Sequence, residues 1–504
     1  MPADSLFGNS LTNPQDFTIT YELVPGQGAG GKKVDQLLDF ASAAKKDGRI
    51  SALSVTDNAG GHPALAPVAI GTEIKNIGLD PLIHFSLKDK NRNQVESHLF
   101  LYQRQQFNYL LVLGGDFPKT SYCGQAKPVY DLDTIQTIEL VEHIKAGRYR
   151  CAGNTTQASQ PFDFQCGCVV SPFKMTEAEQ VWQYAKLLKK IRAGASFIIT
   201  QLGFDLDKYA ELITFLKDNN INLPILANVF VPTPAVAKIM AKGGVPGVLL
   251  PHELAEKIAS ESKEQRLVRA ASMTAVLRGL GYSGVHLGGS GLSFANVSSL
   301  LDRAEGLKNN WQNIWEQAHF PCRGIWSLYR KTTPPEQHAL NPGTRPGGKK
   351  LSELTHGLLF DSRHASARLF GRLCIYADSS RLSRSFLTVA ERIIKDILFS
   401  CRMCGDCTLS DSTYLCPQSG CPKKLVNGPC GGSNNSRCEV FPDRRCFYVR
   451  VYMRCDRKTT ISSLAAKPIL QPKNWALEQE SSWINHFRQK GRHCPETDSK
   501  PPQA

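Results

Sequence analysis

The amino-acid sequence predicts an α/β protein: a (β/α)₈ barrel of the TIM type followed by a small cysteine-rich, metal-binding α+β module. Three observations carry this reading. Over the first three hundred residues, eight short apolar runs alternate with amphipathic stretches at helical spacing. Strands joined by crossover helices form right-handed βαβ units and a parallel sheet, and at this length the economical closure is a barrel, with a doubly wound open sheet as the alternative. Charge and cysteine are unevenly spread. Residues 1–300 carry 29 Lys+Arg against 27 Asp+Glu, a net of +2, whereas residues 301–504 carry 31 against 18, or +13. Ten of the 16 cysteines lie after residue 400.

The strands are expected at 17–24, 52–57, 81–87, 109–115, 164–170, 197–203, 224–231 and 284–289. Helical patterns separate them, such as 34–47, 94–107, 176–193, 207–218 and 263–280. The domain boundaries that follow are 1–310 for the barrel, 311–350 for a linker, 351–490 for the cysteine-rich module and 491–504 for a tail. The linker assignment rests on the Pro, Gly and basic residues of 331–350. Residues 364–400 alternate apolar and basic residues at helical spacing and lead into the cysteines. With 41% hydrophobic and 21% charged residues, the chain is neither disordered nor fibrous. Its first residues lack a basic, then apolar, export signal, and no apolar run reaches membrane-spanning length. A cytoplasmic location without membrane attachment is therefore expected, where clustered cysteines hold metal rather than form disulfides.

Active sites of such barrels lie at the C-terminal strand ends. Those ends carry Glu22, Thr56, Asp57, His84, Lys88, Asp89, Asp116, Gln201, Asp205, Asn228 and His286. The glycine-rich run at 26–33 (GQGAGGKK) imitates a phosphate-binding loop. It lacks the Ser or Thr that would hold magnesium, since Lys33 stands there, and reads better as a flexible rim of the pocket. In the tail, Cys401, Cys404, Cys407 and Cys416-Pro are followed by Cys421, Cys430, Cys438 and Cys446, enough thiolates for two four-ligand sites. The C-x2-C-x2-C spacing with a later Cys-Pro suits iron–sulfur loops, and the longer gaps also suit structural zinc. The basic tail has no aromatic-interleaved stripe or nucleic-acid module, so an acidic protein partner fits its charge better than nucleic acid.

Five motifs in order resemble methylenetetrahydrofolate reductase: YELVP at 21–25, SVTDN at 54–58, IHFSLKDKNRN at 83–93, LVLGGDFP at 111–118 and IITQLGFD at 198–205. The tail resembles the C-terminal module of that family over roughly 355–490, through CRMCGDCTL, CPKKLVNGPCGGS, CFYVRVY, WAL and SSWIN. In acetogenic bacteria a similar module is a separate small subunit. The resemblance implies a flavin-dependent oxidoreductase of one-carbon metabolism that reduces 5,10-methylenetetrahydrofolate to 5-methyltetrahydrofolate. It makes Glu22 the catalytic acid, Asp116 a catalytic residue between flavin and pterin, and Gln201 a folate contact. Thr56, His84, Gly115, Asp116 and Lys190 would hold FAD, or alternatively FMN. The eight tail cysteines would hold 4Fe-4S clusters or zinc.

The apolar neighbours Tyr21, Leu23 and Val24 are expected to keep the Glu22 carboxyl protonated. Electrons would come from NAD(P)H or an acidic electron-transfer protein, and a homo-oligomer is compatible with all of this. Three departures from the family pattern stand out: Gly114 where an arginine contacts a flavin phosphate, Gln183 where an acidic residue contacts flavin, and no clear aromatic substrate stack beyond Phe230. The alternative function is a non-catalytic folate- and metal-binding partner of a methyltransferase system, which would carry no flavin.

Overall fold

The computed structural model describes residues 5–150, 156–158, 160–329, 348–456 and 458–491. It divides into two compact units. The first is Met1–Leu340 with Pro429–Cys446 and Thr460–Ala466; the second is Asn341–Gly428, Phe447–Thr459 and Lys467–Ala504.

The first unit is a closed, wholly parallel barrel of eight strands: β1 (Thr18–Leu23), β2 (Ala52–Val55), β3 (Asp80–Ser86), β4 (Tyr109–Leu113), β5 (Gln165–Val170), β6 (Phe197–Thr200), β7 (Ile225–Val231) and β8 (Gly284–Gly289). Each pairs with its sequence neighbours, and β8 closes on β1 with Thr20 opposite His286. Most strands stop short of the expected C-terminal boundary because Thr56–Asp57, Gly114–Gly115 and Gln201–Gly203 already belong to the βα-loops. The N-terminal mouth is plugged by the helix α1 (Leu6–Thr12). Its cap Ser5 donates to Asp80 Oδ2 at 2.9 Å, and buried Phe7 meets Tyr109 and Phe197 edge-on at 4.8 and 5.5 Å. This closure leaves the opposite mouth as the open end.

The outer helices are α2 (Lys32–Asp47), α3 (Pro67–Ile77), α4 (Arg92–Arg104), α5 (Thr134–Lys145), α6 (Glu177–Arg192), α7 (Leu206–Asp218), α8 (Pro234–Ala241), α9 (His252–Ser260), α10 (Lys263–Gly279) and α11 (Phe294–Leu307). The expected linker, 311–350, divides. Residues 330–347 lie outside the described residues. Residues 311–329, with the short α12 (Trp315–Ala318), are bound to α7: Asp205 accepts from Cys322 N, Lys208 donates to Trp326 O and Glu211 accepts from Leu328 N, at 3.1, 2.9 and 2.8 Å. Of the expected tail 491–504, only residue 491 is described.

The second unit is helical: α13 (Gly348–Phe360), α14 (Ala365–Ala377), α15 (Arg381–Phe399), α16 (Pro417–Gly420), α17 (Phe447–Arg454) and α19 (Ser482–Phe487); α18 (Ile461–Ala466) belongs to the first unit. The expectation of an α+β module is corrected here. Among the described residues the tail has only two isolated bridges, Asn434–Arg437 and Arg437–Arg445, both in the first unit. The physical reason is spacing. Cysteines every few residues force tight turns, with left-handed Met403, Gly405, Thr413 and Tyr414, and leave no run long enough for a ladder.

Candidate active site

Strand alternation sets the site. In β1, Tyr21 and Leu23 point outward to the helices, Tyr21 stacking on Phe40 at 4.2 Å, while Glu22 points into the mouth. There it meets imidazoles. His286 on β8 lies with Nε2 3.8 Å from Glu22 Oε2, and its Nδ1 shares a hydrogen bond with Thr20 Oγ1 at 2.8 Å. His84 on β3 completes the cluster, its ring 6.1 Å from that of His286. The expectation of a protonated Glu22 is thereby corrected. Burial pushes its pKa up, but the facing imidazoles of His286 and His84 outweigh burial and hold it below the usual carboxylate value. Of the apolar neighbours that suggested otherwise, Tyr21 and Leu23 lie on the other side of the strand, and Val24 is exposed beyond its end.

Burial pushes His84 down to about 4, against a partial pull from Glu22. Its Nε2 is buried with no hydrogen-bond partner among the described residues, as are Thr56 Oγ1 and Ser86 Oγ nearby. A neutral buried histidine makes stability depend on pH with a definite sign. Its folded pKa lies below the unfolded value, so its contribution is complete above about 6.5 and is lost as pH falls from there toward 4, by up to roughly 3 kcal/mol. Urea unfolding between pH 7 and 4.5 is expected to show this slope, and His84→Asn is expected to flatten it. An unchanged slope would show that His84 titrates normally.

The loops beside this cluster are fixed by charge and by glycine. Asp57 accepts from Lys90 Nζ at 2.6 Å, and Lys88, 2% exposed, pairs with Asp89 at 2.5 Å. Asp116 Oδ2 accepts from Gly60 N at 2.8 Å, joining the loop after β4 to the loop after β2. Gly115 has φ +80°, and a Cβ there would lie 2.0 Å from Ser86 Oγ. Glycine is needed for both reasons.

Around β5 and β6 lie the expected Lys190 and Gln201, together with Lys174, Lys186 and a returning segment that sequence reasoning missed. Lys190 on α6 is 9% exposed and donates to Val169 O at 2.6 Å. Burial pushes its pKa down to about 8. Segment 429–446 returns from the tail to this wall: Lys174 Nζ donates to Gly431 O and Ser433 O at 2.5 and 2.7 Å, Gln183 to Cys430 O at 3.0 Å, and Lys186 to Pro429 O at 2.9 Å. Gln201, at the end of β6, accepts from Leu202 N at 3.0 Å; a Cβ on Gly247 would lie 3.4 Å from its Nε2 and 2.4 Å from Gly431 O. Glu22 and His84 are thus brought together, and Gly115–Asp116 is tied to the loop that follows Thr56, whereas Lys190 and Gln201 are held by their own wall.

In the second unit, Cys401, Cys404, Cys407 and Cys416 line one cavity together with Glu391 and Lys395 of α15. Burial pushes the Cys401 thiol up, and Lys395 keeps its proton despite burial because Cys407 and Glu391 face it. Cys421 also belongs to this unit; Cys430, Cys438 and Cys446 lie on the segment assigned to the first. A third cluster, Asp205, Asp207 and His319, is already satisfied. His319 Nδ1 accepts from Leu206 N at 3.2 Å, and Asp205 accepts from Lys208 N and Cys322 N at 3.3 and 3.1 Å.

Among the described residues, no helix is long and apolar enough to cross a membrane. Comparison with known proteins gives two family matches: "Methylenetetrahydrofolate reductase" over residues 8–287 and "Methylene-tetrahydrofolate reductase C terminal" over residues 381–476. Methylenetetrahydrofolate reductase (NADH) 1 of Arabidopsis thaliana is 22% identical over 268 residues, covering 52% of this chain and 43% of the plant protein. The chain thus spans about two-fifths of that relative's length. A solved structure from Clostridium thermocellum, described as an uncharacterized protein that binds two copies of 5-methyl-5,6,7,8-tetrahydrofolic acid, has a TM-score of 0.44 at 13% identity, covering 61% of this chain and 100% of its own. A 2,3-dimethylmalate lyase of the PEP mutase/isocitrate lyase superfamily has a TM-score of 0.32 at 13% identity, over 66% and 91%.

Proposed function

The chain belongs to the methylenetetrahydrofolate reductase family, and from that premise we propose that it reduces 5,10-methylenetetrahydrofolate to 5-methyltetrahydrofolate with a bound flavin. The observation that carries the proposal is the Glu22–His84–His286 cluster at the open mouth of the barrel. The residues present fit a flavin. Thr56 Oγ1 and His84 Nε2 are buried donors or acceptors awaiting a partner, and Lys190 is a buried ammonium whose hydrogen bond goes to a neutral carbonyl, a place for a phosphate. When bound, flavin supplies the hydride.

The chain's own residues handle the proton and the orientation. Opening the substrate's five-membered ring leaves N10 in need of a proton. Glu22 delivers the proton to N10, and the His286 imidazole that faces it at 3.8 Å holds the carboxyl in place. Asp116, with Oδ2 fixed by Gly60 N, offers Oδ1 to the amino-pyrimidine edge of the pterin, and Gln201 holds the same ring from β6. Cys401, Cys404, Cys407 and Cys416, which line one cavity of the second unit, suit a closed thiolate site whose excess negative charge is offset by Lys395, holding a 4Fe-4S cluster or zinc. Electrons reach the site from NAD(P)H or an acidic redox protein.

Protein purified without oxygen is expected to show visible flavin bands, and chromatography of the released cofactor will identify FAD or FMN. Metal analysis will distinguish iron from zinc. Absence of flavin bands would sink the reading. Lys190→Met is expected to weaken flavin retention roughly 10- to 100-fold, the worth of one charge-assisted hydrogen bond. Equilibrium dialysis of the released flavin measures this, and unchanged retention would remove Lys190 from the flavin site.

A further inference from the structure

One helix of the second unit is built inside out. α15 turns its charged Glu391 and Lys395 inward, at 0% and 6% exposure, and its apolar residues outward. Leu382, Phe386, Val389, Ile393 and Ile397 recur at steps of four, three, four and four residues, a single stripe along a helix. They are 84%, 79%, 55%, 55% and 79% exposed, and Ile394 and Leu398 widen the stripe toward the C-terminal end. Together these side chains leave roughly 800 Å² of apolar surface open, more than the ~300–600 Å² of the largest patch on a typical monomer and about one partner's share of a standard interface.

We propose that a second copy of this chain covers the stripe, the two α15 helices packing antiparallel across a two-fold axis near Val389. The charges beside the stripe select this occupant. Arg381 and Asp396 lie on the same edge of the helix, near its opposite ends, with exposed Arg392 between them, and neither Arg381 nor Asp396 makes an ion pair among the described residues. A two-fold axis brings like edge to like edge and reverses direction, so Arg381 of one copy meets Asp396 of the other, twice. Antiparallel packing also sets the positive N-terminal end of each helix beside the negative C-terminal end of its mate.

Light scattering of the full chain across a concentration series tests this. The expected result is a dimer that Phe386→Glu with Ile393→Glu converts to a folded monomer, judged by unchanged circular dichroism. Arg381→Asp and Asp396→Arg are each expected to raise the dimer dissociation constant about tenfold, since each turns an exposed pair into a repulsion made twice. The double reversal Arg381→Asp/Asp396→Arg is expected to restore it, because both pairs reform with their signs exchanged. A monomer at every concentration overturns the proposal, whether or not it sediments with anionic vesicles. So does a dimer indifferent to the stripe variants, or one that the double reversal fails to rescue.

Discussion

Glu22→Gln is expected to lower folate reduction by ~10²–10⁴-fold while leaving reduction of the flavin by its donor unchanged, because only the folate half-reaction needs a proton delivered to N10. The substitution keeps the shape and removes the proton. The carboxylate's low pKa adds a second expectation. With burial outweighed by the facing imidazoles, Glu22 is held below the usual carboxylate value, and His286 is the imidazole nearest to it. His286→Asn is therefore expected to slow folate reduction and to shift its pH profile, without altering flavin content. Rapid mixing of the two half-reactions separately checks both variants. If folate reduction survives in Glu22→Gln, the acid lies elsewhere in the mouth. If the pH profile of His286→Asn is unmoved, His286 does not set the ionisation of Glu22.

The second large effect is structural. Glu391 is fully buried and accepts from Lys395 Nζ at 2.8 Å, from Ser481 Oγ and Ser482 Oγ at 2.5 and 2.6 Å, and from Ser482 N and Trp483 N at 3.2 and 3.3 Å. It ties α15 to the start of α19 and neutralises an ammonium that is itself 6% exposed. Glu391→Ala takes from buried Lys395 its carboxylate partner and from Ser481, Ser482 and Trp483 their acceptor, which costs ~3–5 kcal/mol. The second unit is expected to unfold at lower urea and to lose its metal, whereas Glu391→Gln, which keeps an acceptor for Lys395 and the serines, is expected to recover part of the stability. Chemical denaturation with metal analysis of the same samples measures this. A single variant as stable as the parent would show that Lys395 finds another counter-charge, and the thiolate site would not depend on this pair.

The barrel was legible because every strand is short, apolar and followed by a polar end, and period-two alternation then places Glu22, His84 and His286 on the inner face. The ionisation of Glu22 was misread for the same period-two reason: Tyr21 and Leu23 are its neighbours in sequence and lie on the opposite side of the strand. Of the buried lysines of the β5–β6 wall, Lys190 was named only through the family resemblance, and Lys174 and Lys186 gave no signal. Lys186 and Lys190 sit four residues apart on a charged helix, a pattern that reads as solvated, and the carbonyls that bury Lys174 and Lys186 come from residues 429–433, some 240 to 260 positions away. α15 showed its amphipathic period plainly. Which face it buries was settled by Glu391 and its serine partners, not by hydropathy. The tail's cysteine density pointed to a metal module, but spacing alone could not tell turns and short helices from strands.

The central claim is that the barrel couples a bound flavin to a folate through Glu22. It is tested most directly by reducing the flavin of the full chain without oxygen, removing the reductant and adding methylenetetrahydrofolate. The claim predicts that the oxidised flavin bands return while one 5-methyltetrahydrofolate forms per flavin. Reduced flavin that is left unchanged by the folate, or reoxidised without the methyl product, would contradict it.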